Sequence, residues 1–135
     1  MSRIRGWEKN LALVIEKHNM LPMQYGISDC YIIADDAVQA LTGKIMFTGV
    51  RNYKSQAGAL KKLRKHGFLT VEDAFSHKFP RIPVLMAQRG DIGVVYQSNG
   101  EVSGGVFTSQ GFFTKTENGS LFLAYNQVTY AFGVR

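Results

Sequence analysis

Residues 25–43 read YGISDCYIIADDAVQALTG, and their pattern decides the fold of the whole chain. From Cys30 onward, apolar side chains recur every three or four residues, which is the spacing of one face of an α-helix. The residues on this face are Cys30, Ile33, Ala34, Ala37, Val38 and Leu41. Ser28 or Asp29 is suited to cap the start of the helix, and Gly43 is suited to end it in a left-handed conformation. The stretch therefore predicts a helix that faces the core and carries a cysteine in its first turn.

Three further helices are predicted, one before this helix and two after it. The spacing of apolar residues predicts a first helix at about residues 5–19. A third helix is predicted at about residues 56–66, with Ser55 as its cap, and a short fourth helix follows Thr70. Thr70 and Asp73 resemble a capping box, in which each end of the pair satisfies a free backbone N–H group.

The second half of the chain has a different pattern. Short segments rich in β-branched and aromatic residues alternate with turn signals such as Asn99-Gly100 and Asn118-Gly119, which are typical of β-hairpins. The predicted strands are 92–97, 102–108, 112–116, 120–124 and 129–134. Helices followed by such strands predict a single α+β domain over residues 1–135. Its helices would cover about 5–78, and a small, curled antiparallel sheet of about five strands would cover about 86–135.

Composition restricts which kind of protein this chain can be and which kinds of site it can contain. With 135 residues, of which 45% are hydrophobic, the chain can bury the core of one domain. No apolar run reaches the roughly 18–20 residues that span a bilayer. The single cysteine excludes an internal disulfide and a cysteine-based zinc site, and the sequence predicts no metal and no cofactor. That cysteine is either a small buried apolar residue or a reactive thiol.

Positive charge is concentrated in the predicted third helix. The formal net charge is +6, and the helix contains Lys61, Lys62, Arg64 and Lys65. Such a face can attract an acidic protein partner, an anionic wall polymer or nucleic acid, or it can be a solvated helix face. Because no zinc finger, RNP-type aromatic pattern or basic zipper accompanies it, only charge favours nucleic acid. We therefore take these four residues as a candidate partner-binding set.

Cys30 would occupy a position suited to nucleophilic chemistry. A thiol in the first turn of a helix lies at the positive end of the macrodipole, near free backbone N–H groups. Both features favour the thiolate, so the thiol pKa can fall below its free value of about 8.5. The same N–H groups can hold an oxyanion. Packing of the helix against a sheet lets a strand bring a histidine to the sulfur as general base, as in papain-like acyl transfer.

Four short motifs, taken in order, resemble those of a known superfamily. Residues 25–30 (YGISDC) and 41–43 (LTG) resemble the cysteine segment of the NlpC-type cell-wall peptidases, which have a papain-like fold. Residues 89–92 (RGDI) resemble the Gly-Asp turn into their first barrel strand, and residues 103–106 (SGGV) fall where they have a His-Val-Gly-Ile strand. Over about residues 7–134 the chain is similar to small phage and prophage proteins of this superfamily, typically encoded among tail genes.

The resemblance implies that Cys30 is the candidate nucleophile and that Asp29 is a helix cap or a residue that tunes the thiol. It also places Ser103 where the family has its catalytic histidine. A serine hydroxyl cannot act as a base near pH 7, and loss of one member of such a triad typically costs about 10⁴-fold in rate. This departure argues against hydrolysis by the usual route.

We therefore predict a structural component of a phage tail tip or baseplate, built on a degenerate NlpC-like cysteine peptidase fold. Its expected location is the virion, after synthesis in the host cytoplasm. Its expected partners are other tail proteins, such as hub, tail-tip or fibre-bearing proteins. The alternative is an active cysteine peptidase or amidase that degrades peptidoglycan during phage DNA entry.

The other polar residues are expected to have structural roles. His18 and His66 are expected near helix C-termini, where a positive charge suits the macrodipole, and His77 is expected to be solvated at a helix end. Asp35 and Asp36 are expected to face solvent, because adjacent residues on a helix point about 100° apart and cannot form a metal pair.

Two expectations concern the strands and the turns between them. Asp91 is expected to fix the turn into the first long strand, and residues 125–127 are expected to line a cleft near Cys30. The expected core residues are Trp7, Leu11, Cys30, Ile33, Ala37, Val38, Leu41, Val94, Val106 and Phe122.

Overall fold

Four α-helices lead into a six-stranded sheet across residues 2–135, which a computed structural model describes. The helices are α1 Trp7–Met20, α2 Cys30–Thr42, α3 Gln56–Lys65 and α4 Val71–Lys78. The strands are β1 Arg81–Ile82, β2 Ile92–Tyr96, β3 Val102–Thr108, β4 Gly111–Thr116, β5 Gly119–Leu123 and β6 Tyr130–Phe132. Single turns of 3₁₀ helix cover Val84–Met86 and Tyr125–Gln127. This order of elements, with helices packed on a curled antiparallel sheet, confirms the predicted α+β class.

Local sequence signals set both ends of α2. The Asp29 carboxylate accepts hydrogen bonds from the backbone N–H groups of Tyr31 and Ile32, at 3.0 and 2.9 Å. At the other end, Gly43 adopts the left-handed conformation with φ of 83°, which glycine reaches without a steric penalty. The predicted helix is therefore confirmed, and Asp29 rather than Ser28 is its cap.

The starts of α3 and α4 also follow the predicted caps. The Ser55 hydroxyl accepts a hydrogen bond from the backbone N–H group of Gly58 at 3.0 Å. The Asp73 carboxylate accepts hydrogen bonds from the backbone N–H groups of Leu69 and Thr70, at 2.9 and 3.3 Å. These bonds satisfy groups that a helix leaves free at its N-terminus, so each helix starts where the sequence predicts.

The sheet is antiparallel throughout and open, with strand order β1-β6-β2-β3-β4-β5. The turn at Asn99-Gly100 joins β2 to β3, and the turn at Asn118-Gly119 joins β4 to β5. Both predicted hairpins are therefore confirmed. Strand β6 comes last in the sequence, but in the sheet it lies between β1 and β2.

Strand β1 was not predicted, and it lies before residue 86, where the sheet was expected to start. It contains two residues, and Arg81 lies opposite Phe132 of β6. Two residues show no alternation, so no sequence pattern could predict this strand. Pro80 and Pro83 flank it, which agrees with its place at the sheet edge, where no second neighbour requires a backbone donor.

The core lies between α2 and the sheet. Helix α2 packs against α1 on one side and against β3 and β4 on the other. The expected core residues that are buried are Leu11, Ile33, Ala37, Val38, Leu41, Val94 and Val106. Trp7 and Phe122 pack against this core while remaining partly exposed, and Cys30 is partly exposed at its edge.

Two glycines in β3 allow close packing, Gly105 against β4 and Gly104 against α4 and the start of α2. A Cβ atom on Gly105 would lie 2.4 Å from the carbonyl oxygen of Phe113, closer than any real contact allows. A Cβ atom on Gly104 would lie 3.0 Å from the Phe75 ring and 3.3 Å from the carbonyl oxygen of Cys30. The absence of a side chain at Gly104 therefore lets β3 lie directly against the first turn of α2.

Asp91 ties the turn before β2 to residues near both ends of the sequence. Its buried carboxylate accepts hydrogen bonds from the backbone N–H groups of Gln88 at 2.8 Å and Val134 at 3.1 Å. The Arg3 and Arg135 guanidinium groups lie 3.1 and 2.6 Å from it. The expectation that Asp91 fixes this turn is confirmed, and the carboxylate also joins three separate segments.

Candidate functional site

A cleft of about 520 Å³ opens at the start of α2. One wall consists of α3 and the first residue of α4, and the other consists of the β2–β3 and β4–β5 turns. Its buried apolar lining is formed by Tyr31, Val50, Tyr53, Leu63 and Val71. Its neutral amide side chains are those of Gln56, Gln97, Asn99 and Asn118. The volume lies in the range of pockets that enclose small ligands.

Cys30 lines this cleft as the first residue of α2. Although the residue is partly exposed, protein surrounds its thiol on the other sides, and this burial and the charge of Asp29 raise the thiol pKa to about 12. Hydrogen bonds with the backbone of Gly104 and Tyr31 act in the opposite direction but do not outweigh these effects. The helix start therefore does not lower the thiol pKa here, because desolvation and a neighbouring carboxylate exceed its effect.

Asp29 acts as a structural cap at the edge of the cleft. Besides its bonds to α2, its carboxylate accepts hydrogen bonds from the Gly26 N–H group and the Tyr53 hydroxyl, both at 2.7 Å. These contacts connect the loop before α2 and the segment before α3 to the start of the helix. With four donors, the two carboxylate oxygens are fully used, so the expected role of Asp29 as a helix cap is confirmed.

Ser103 lines the same cleft from β3 and is 7% exposed. Its neighbour Gly104 contacts Cys30, so residue 103 lies beside the start of α2. The Ser103 hydroxyl accepts a hydrogen bond from the side-chain amide of Gln97. The position at which the resemblance implies a catalytic histidine therefore holds a hydroxyl bound to an amide, and neither group acts as a base near pH 7.

The three histidines make their contacts outside the cleft. His66 caps the end of α3, and its ring nitrogens each lie 3.1 Å from a backbone carbonyl oxygen. His77 is exposed near the end of α4 and packs against two phenylalanine rings, at centroid distances of 6.2 and 5.4 Å. Neither these two rings nor that of His18 belongs to the cleft lining that residues 2–135 form.

His18 lies in the last turn of α1 as predicted, but its side chain is completely buried. Its Nδ1 lies 2.8 Å from the Ser28 hydroxyl, and its Nε2 lies 2.7 Å from the Asp36 carboxylate. The Lys115 ammonium donates to the Ser28 hydroxyl at 2.6 Å and to two backbone carbonyl oxygens at 2.6 and 2.8 Å. Because Ser28 is also completely buried, this serine–histidine–aspartate set joins α1, α2 and β4 structurally and does not meet a substrate.

Asp35 and Asp36 are both buried, which corrects the expectation that they face solvent. Arg51 lies 3.1 Å from Asp35 and 2.7 Å from Asp36. Asp35 also accepts a hydrogen bond from the Met46 backbone N–H group at 2.7 Å. Residues 46–51 cover one side of α2, and α1 and the sheet cover other sides of the helix. Asp35 and Asp36 point in different directions, but both therefore contact protein.

Asp36 is expected to make the fold sensitive to acid. Burial raises the pKa of this carboxyl group, but hydrogen bonds from His18 and Arg51 and the nearby positive charges outweigh burial and lower the pKa to about 2. A carboxyl group whose pKa is lower in the folded state stabilises the fold above its unfolded pKa of about 3.9. That contribution disappears as the pH falls toward 2, and its expected size is about 2 kcal/mol.

Urea denaturation of the wild type and of Asp36→Asn at pH 6, 4, 3 and 2 measures this effect. The variant lacks the titrating group, so the difference in free energy of unfolding between the two proteins is expected to shrink by about 2 kcal/mol from pH 6 to pH 2. A difference that stays constant over this range would contradict the role of Asp36.

The basic residues of α3 lie beside the cleft. The set consists of Lys61, Arg64 and Lys65, which are exposed, and Lys62, which is partly exposed. Arg64 lines the cleft directly. On the opposite wall, the turns contribute the exposed carboxylates of Glu101 and Glu117. A partner in the cleft would therefore meet Arg64 on one side and Glu101 and Glu117 on the other.

Residues 125–127 do not line the cleft, which corrects another expectation. The Tyr125 hydroxyl donates a hydrogen bond to the carbonyl oxygen of Thr108 at 2.6 Å, and its ring packs against Phe107. Strand β5 runs away from the β4–β5 turn that borders the cleft, so the residues that follow β5 lie at the opposite end of the sheet.

Sequence reasoning missed two tyrosines of the cleft, Tyr31 and Tyr53. Tyr31 directly follows Cys30, but adjacent helix residues point about 100° apart, so the apolar pattern assigns it to no face. Tyr53 lies in the segment between α2 and α3, which has no periodic pattern. The only signal in the sequence was the position of Tyr31 next to the candidate nucleophile.

No helix formed by residues 2–135 combines the length and the apolar character needed to cross a membrane. In the same part of the chain, His, Cys, Asp and Glu side chains form no group of three or more that could hold a metal ion.

Comparison with known proteins identifies the family of the chain. No curated protein and no solved structure matches it. The family model described as a domain of unknown function (DUF6950) matches residues 2–134. This match extends from before α1 to beyond β6, so it includes every element that borders the cleft. The chain therefore belongs to the DUF6950 family.

Proposed function

We propose that this protein is a docking component of a phage tail tip or baseplate, in which the cleft at the start of α2 receives a segment of a partner tail protein. The observation that carries the proposal is a cleft of about 520 Å³ that contains a neutral thiol, because the pKa of Cys30 is raised to about 12. A neutral thiol beside Ser103 is suited to contact a bound partner rather than to attack it. The phage setting rests on the resemblance of residues 7–134 to small tail-encoded proteins.

The charges around the cleft support recognition of a protein partner. The basic face of α3 can attract an acidic surface and guide the partner to the cleft, where apolar contacts hold it. A degenerate peptidase fold would keep its groove while losing its chemistry, since function depends on the residues of the site rather than on the fold. The proposed partners are hub, tail-tip or fibre-bearing proteins, and the proposed location is the virion.

Co-purification with the tail proteins of the phage that encodes this chain tests the proposal. We expect a stable complex with at least one of them, and we expect the Arg64→Glu and Lys65→Glu double variant to weaken it. A matched control is the Arg5→Glu and Lys9→Glu double variant, which reverses two exposed charges near α1 and should leave binding unchanged. A chain that stays monomeric and binds none of these proteins would refute the docking function.

The second candidate function is hydrolysis of peptidoglycan peptides. It is favoured by one observation, namely that Cys30 opens a helix inside a cleft with backbone hydrogen bonds from Gly104 and Tyr31 at its sulfur. Incubation of wild type and Cys30→Ala with purified wall fragments, followed by chromatography of released peptides, separates the two functions.

We expect equal and near-zero turnover in both proteins, because the thiol is neutral and residue 103 is not a base. The Cys30→Ala variant should lose no more than about 2 kcal/mol of stability, so that it remains a folded control. Release of peptides that depends on Cys30 would favour the enzyme and refute the docking proposal.

A further inference from the structure

Strand β5 forms one edge of the sheet without the features that normally protect an edge. It is the last strand in the order β1-β6-β2-β3-β4-β5, and all of its residues, Gly119–Leu123, are partly exposed. Natural edge strands are usually kept from pairing by charge, by proline or by shortness. The opposite edge follows this rule, because β1 has two residues and a proline on each side. Strand β5 contains neither a charge nor a proline, so it is open to pairing with another strand.

The backbone of Ser120 and Phe122 presents the hydrogen-bonding groups of this edge. Gly119 lies opposite Thr116 at the two-residue turn between β4 and β5, and such a closing pair exchanges both of its backbone hydrogen bonds. Bonded pairs alternate along an antiparallel ladder, so the odd-numbered residues of β5 bond to β4. The N–H and C=O groups of Ser120 and Phe122 therefore point outward, and no backbone group among residues 2–135 bonds to them.

The side chains of β5 are matched to a second copy of the same strand. In an antiparallel pair centred on Leu121, Ser120 of each copy lies opposite Phe122 of the other, and Gly119 lies opposite Leu123. A small residue then faces a large one at every position except the centre, where the two leucines meet. The same register places the outward groups of Ser120 opposite those of Phe122, so each donor meets an acceptor. Because the strand is uncharged, this pairing brings no like charges together.

The charges around β5 do not oppose the approach of a second copy. Phe122 lines a groove of about 330 Å³ between α1 and the sheet, and the charged residues of this groove are Glu8, Glu16 and Arg89. Along α1, two glutamates balance two lysines. Glu117 precedes β5 and lies outside the segment that would pair, and the basic residues of α3 lie on the opposite wall of the cleft from the β4–β5 turn. The surface beside the edge is therefore mixed in charge rather than uniformly positive.

We infer that two copies of this chain associate through β5, about a two-fold axis at Leu121, and join their sheets into one continuous antiparallel sheet. The short strand β1 remains at each outer edge, so association stops at the dimer. The β4–β5 turns, which border the two clefts, lie at opposite ends of the paired strands. No residue of β5 lines the cleft, so the dimer does not depend on the proposed docking function.

Sedimentation equilibrium of the full chain tests the inference. Pairing of two short strands makes a small interface, so we expect a weak dimer with a dissociation constant on the order of 0.1 mM. The apparent mass should double as the protein concentration rises from about 10 μM to about 1 mM. A chain that remains monomeric at the highest concentration would refute the dimer.

Opposite charges at Leu121 test the two-fold register. Leu121→Lys and Leu121→Glu each place like charges opposite one another at the axis, so either variant alone should dimerise at least about tenfold more weakly than the wild type. A mixture of the two variants should dimerise again, because the lysine of one copy then faces the glutamate of the other. Leu85→Lys is the matched control, since Leu85 is 96% exposed and lies outside β5, and it should leave association unchanged.

Amide hydrogen exchange of the wild type tests the same pairing without any variant. The Ser120 and Phe122 amides point outward, so they should exchange more slowly at about 1 mM protein than at about 10 μM, where the chain is monomeric. The Leu121 amide bonds to β4 in both states and should exchange at the same rate at both concentrations. Equal exchange of all three amides at the two concentrations would contradict pairing through β5.

The remaining outcomes separate this inference from its alternatives. Association that persists in Leu121→Lys, or that Leu85→Lys abolishes, would place the interface elsewhere and refute the inference. A mixture of the two charged variants that stays monomeric would refute the two-fold register. Protection of Ser120 and Phe122 only in the presence of a tail protein would mean that the edge receives another protein's strand, and the second copy would be refuted. Absence of every tail-protein complex would refute the docking function and leave the dimer standing.

Discussion

Replacement of Asp91 by alanine is expected to lower the free energy of unfolding by about 3 kcal/mol, because two arginines and two backbone N–H groups lose their acceptor. The carboxylate is completely buried, and the Arg3 side chain is only 13% exposed, so their ion pair is poorly screened by water. Removal of one partner from a buried pair leaves the other charge uncompensated. The Arg135 side chain is 44% exposed, so its share is smaller.

Urea denaturation followed by tryptophan fluorescence measures this loss. Trp7 is the single tryptophan of the chain, and the Arg3 guanidinium lies 4.3 Å from the centre of its ring. The fluorescence therefore reports on the same region. Glu117→Ala, which removes an exposed carboxylate, is the control and should change stability by no more than about 0.5 kcal/mol. A loss below about 1 kcal/mol in Asp91→Ala would contradict a central role for this ion pair.

The reaction of Cys30 with iodoacetamide at pH 8 is expected to be at least about 100-fold slower than that of free cysteine. Burial and the charge of Asp29 raise the pKa of Cys30 to about 12, whereas the free thiol has a pKa of about 8.5. Only the thiolate reacts, so the rate follows the ionised fraction. The rate should keep rising with pH through pH 9, without a midpoint in the range 5–9.

A parallel reaction in denaturing urea is the control for this measurement. Unfolding removes the burial and exposes both side chains to water, which weakens the effect of the Asp29 charge, so the rate should approach that of free cysteine. A fast reaction in the folded protein, with a midpoint well below pH 8, would contradict the raised pKa. It would also favour the peptidase over the docking function, because a reactive thiolate is what hydrolysis requires.

The sequence alone determined α2, its cap at Asp29 and its end at Gly43. These features depend on interactions between residues that are close in the chain, namely apolar spacing, a side chain that accepts nearby N–H groups and a backbone conformation that glycine favours. The hairpins at Asn99-Gly100 and Asn118-Gly119 were predictable for the same reason. The helix-first order of elements then sufficed to predict the α+β class.

The site was predictable only in its location. The apolar face of α2 showed that the helix faces the core, and Cys30 at its start indicated where a cleft could form. The state of that cysteine was not predictable, because the pKa depends on the desolvation and the charges that the folded chain arranges around the sulfur.

Tertiary structure alone decided the burial of His18, Asp35 and Asp36. Polar residues in a helix normally face solvent, and a sequence does not show which distant segments will cover them. Here the His18 ring pairs with the Asp36 carboxylate, and Arg51 from the segment before α3 pairs with both aspartates. The energy of a buried charge depends on groups remote in the sequence, whereas the start of a helix depends on residues next to it. The sequence therefore determined where α2 begins, and only the tertiary structure decided that these polar residues are buried.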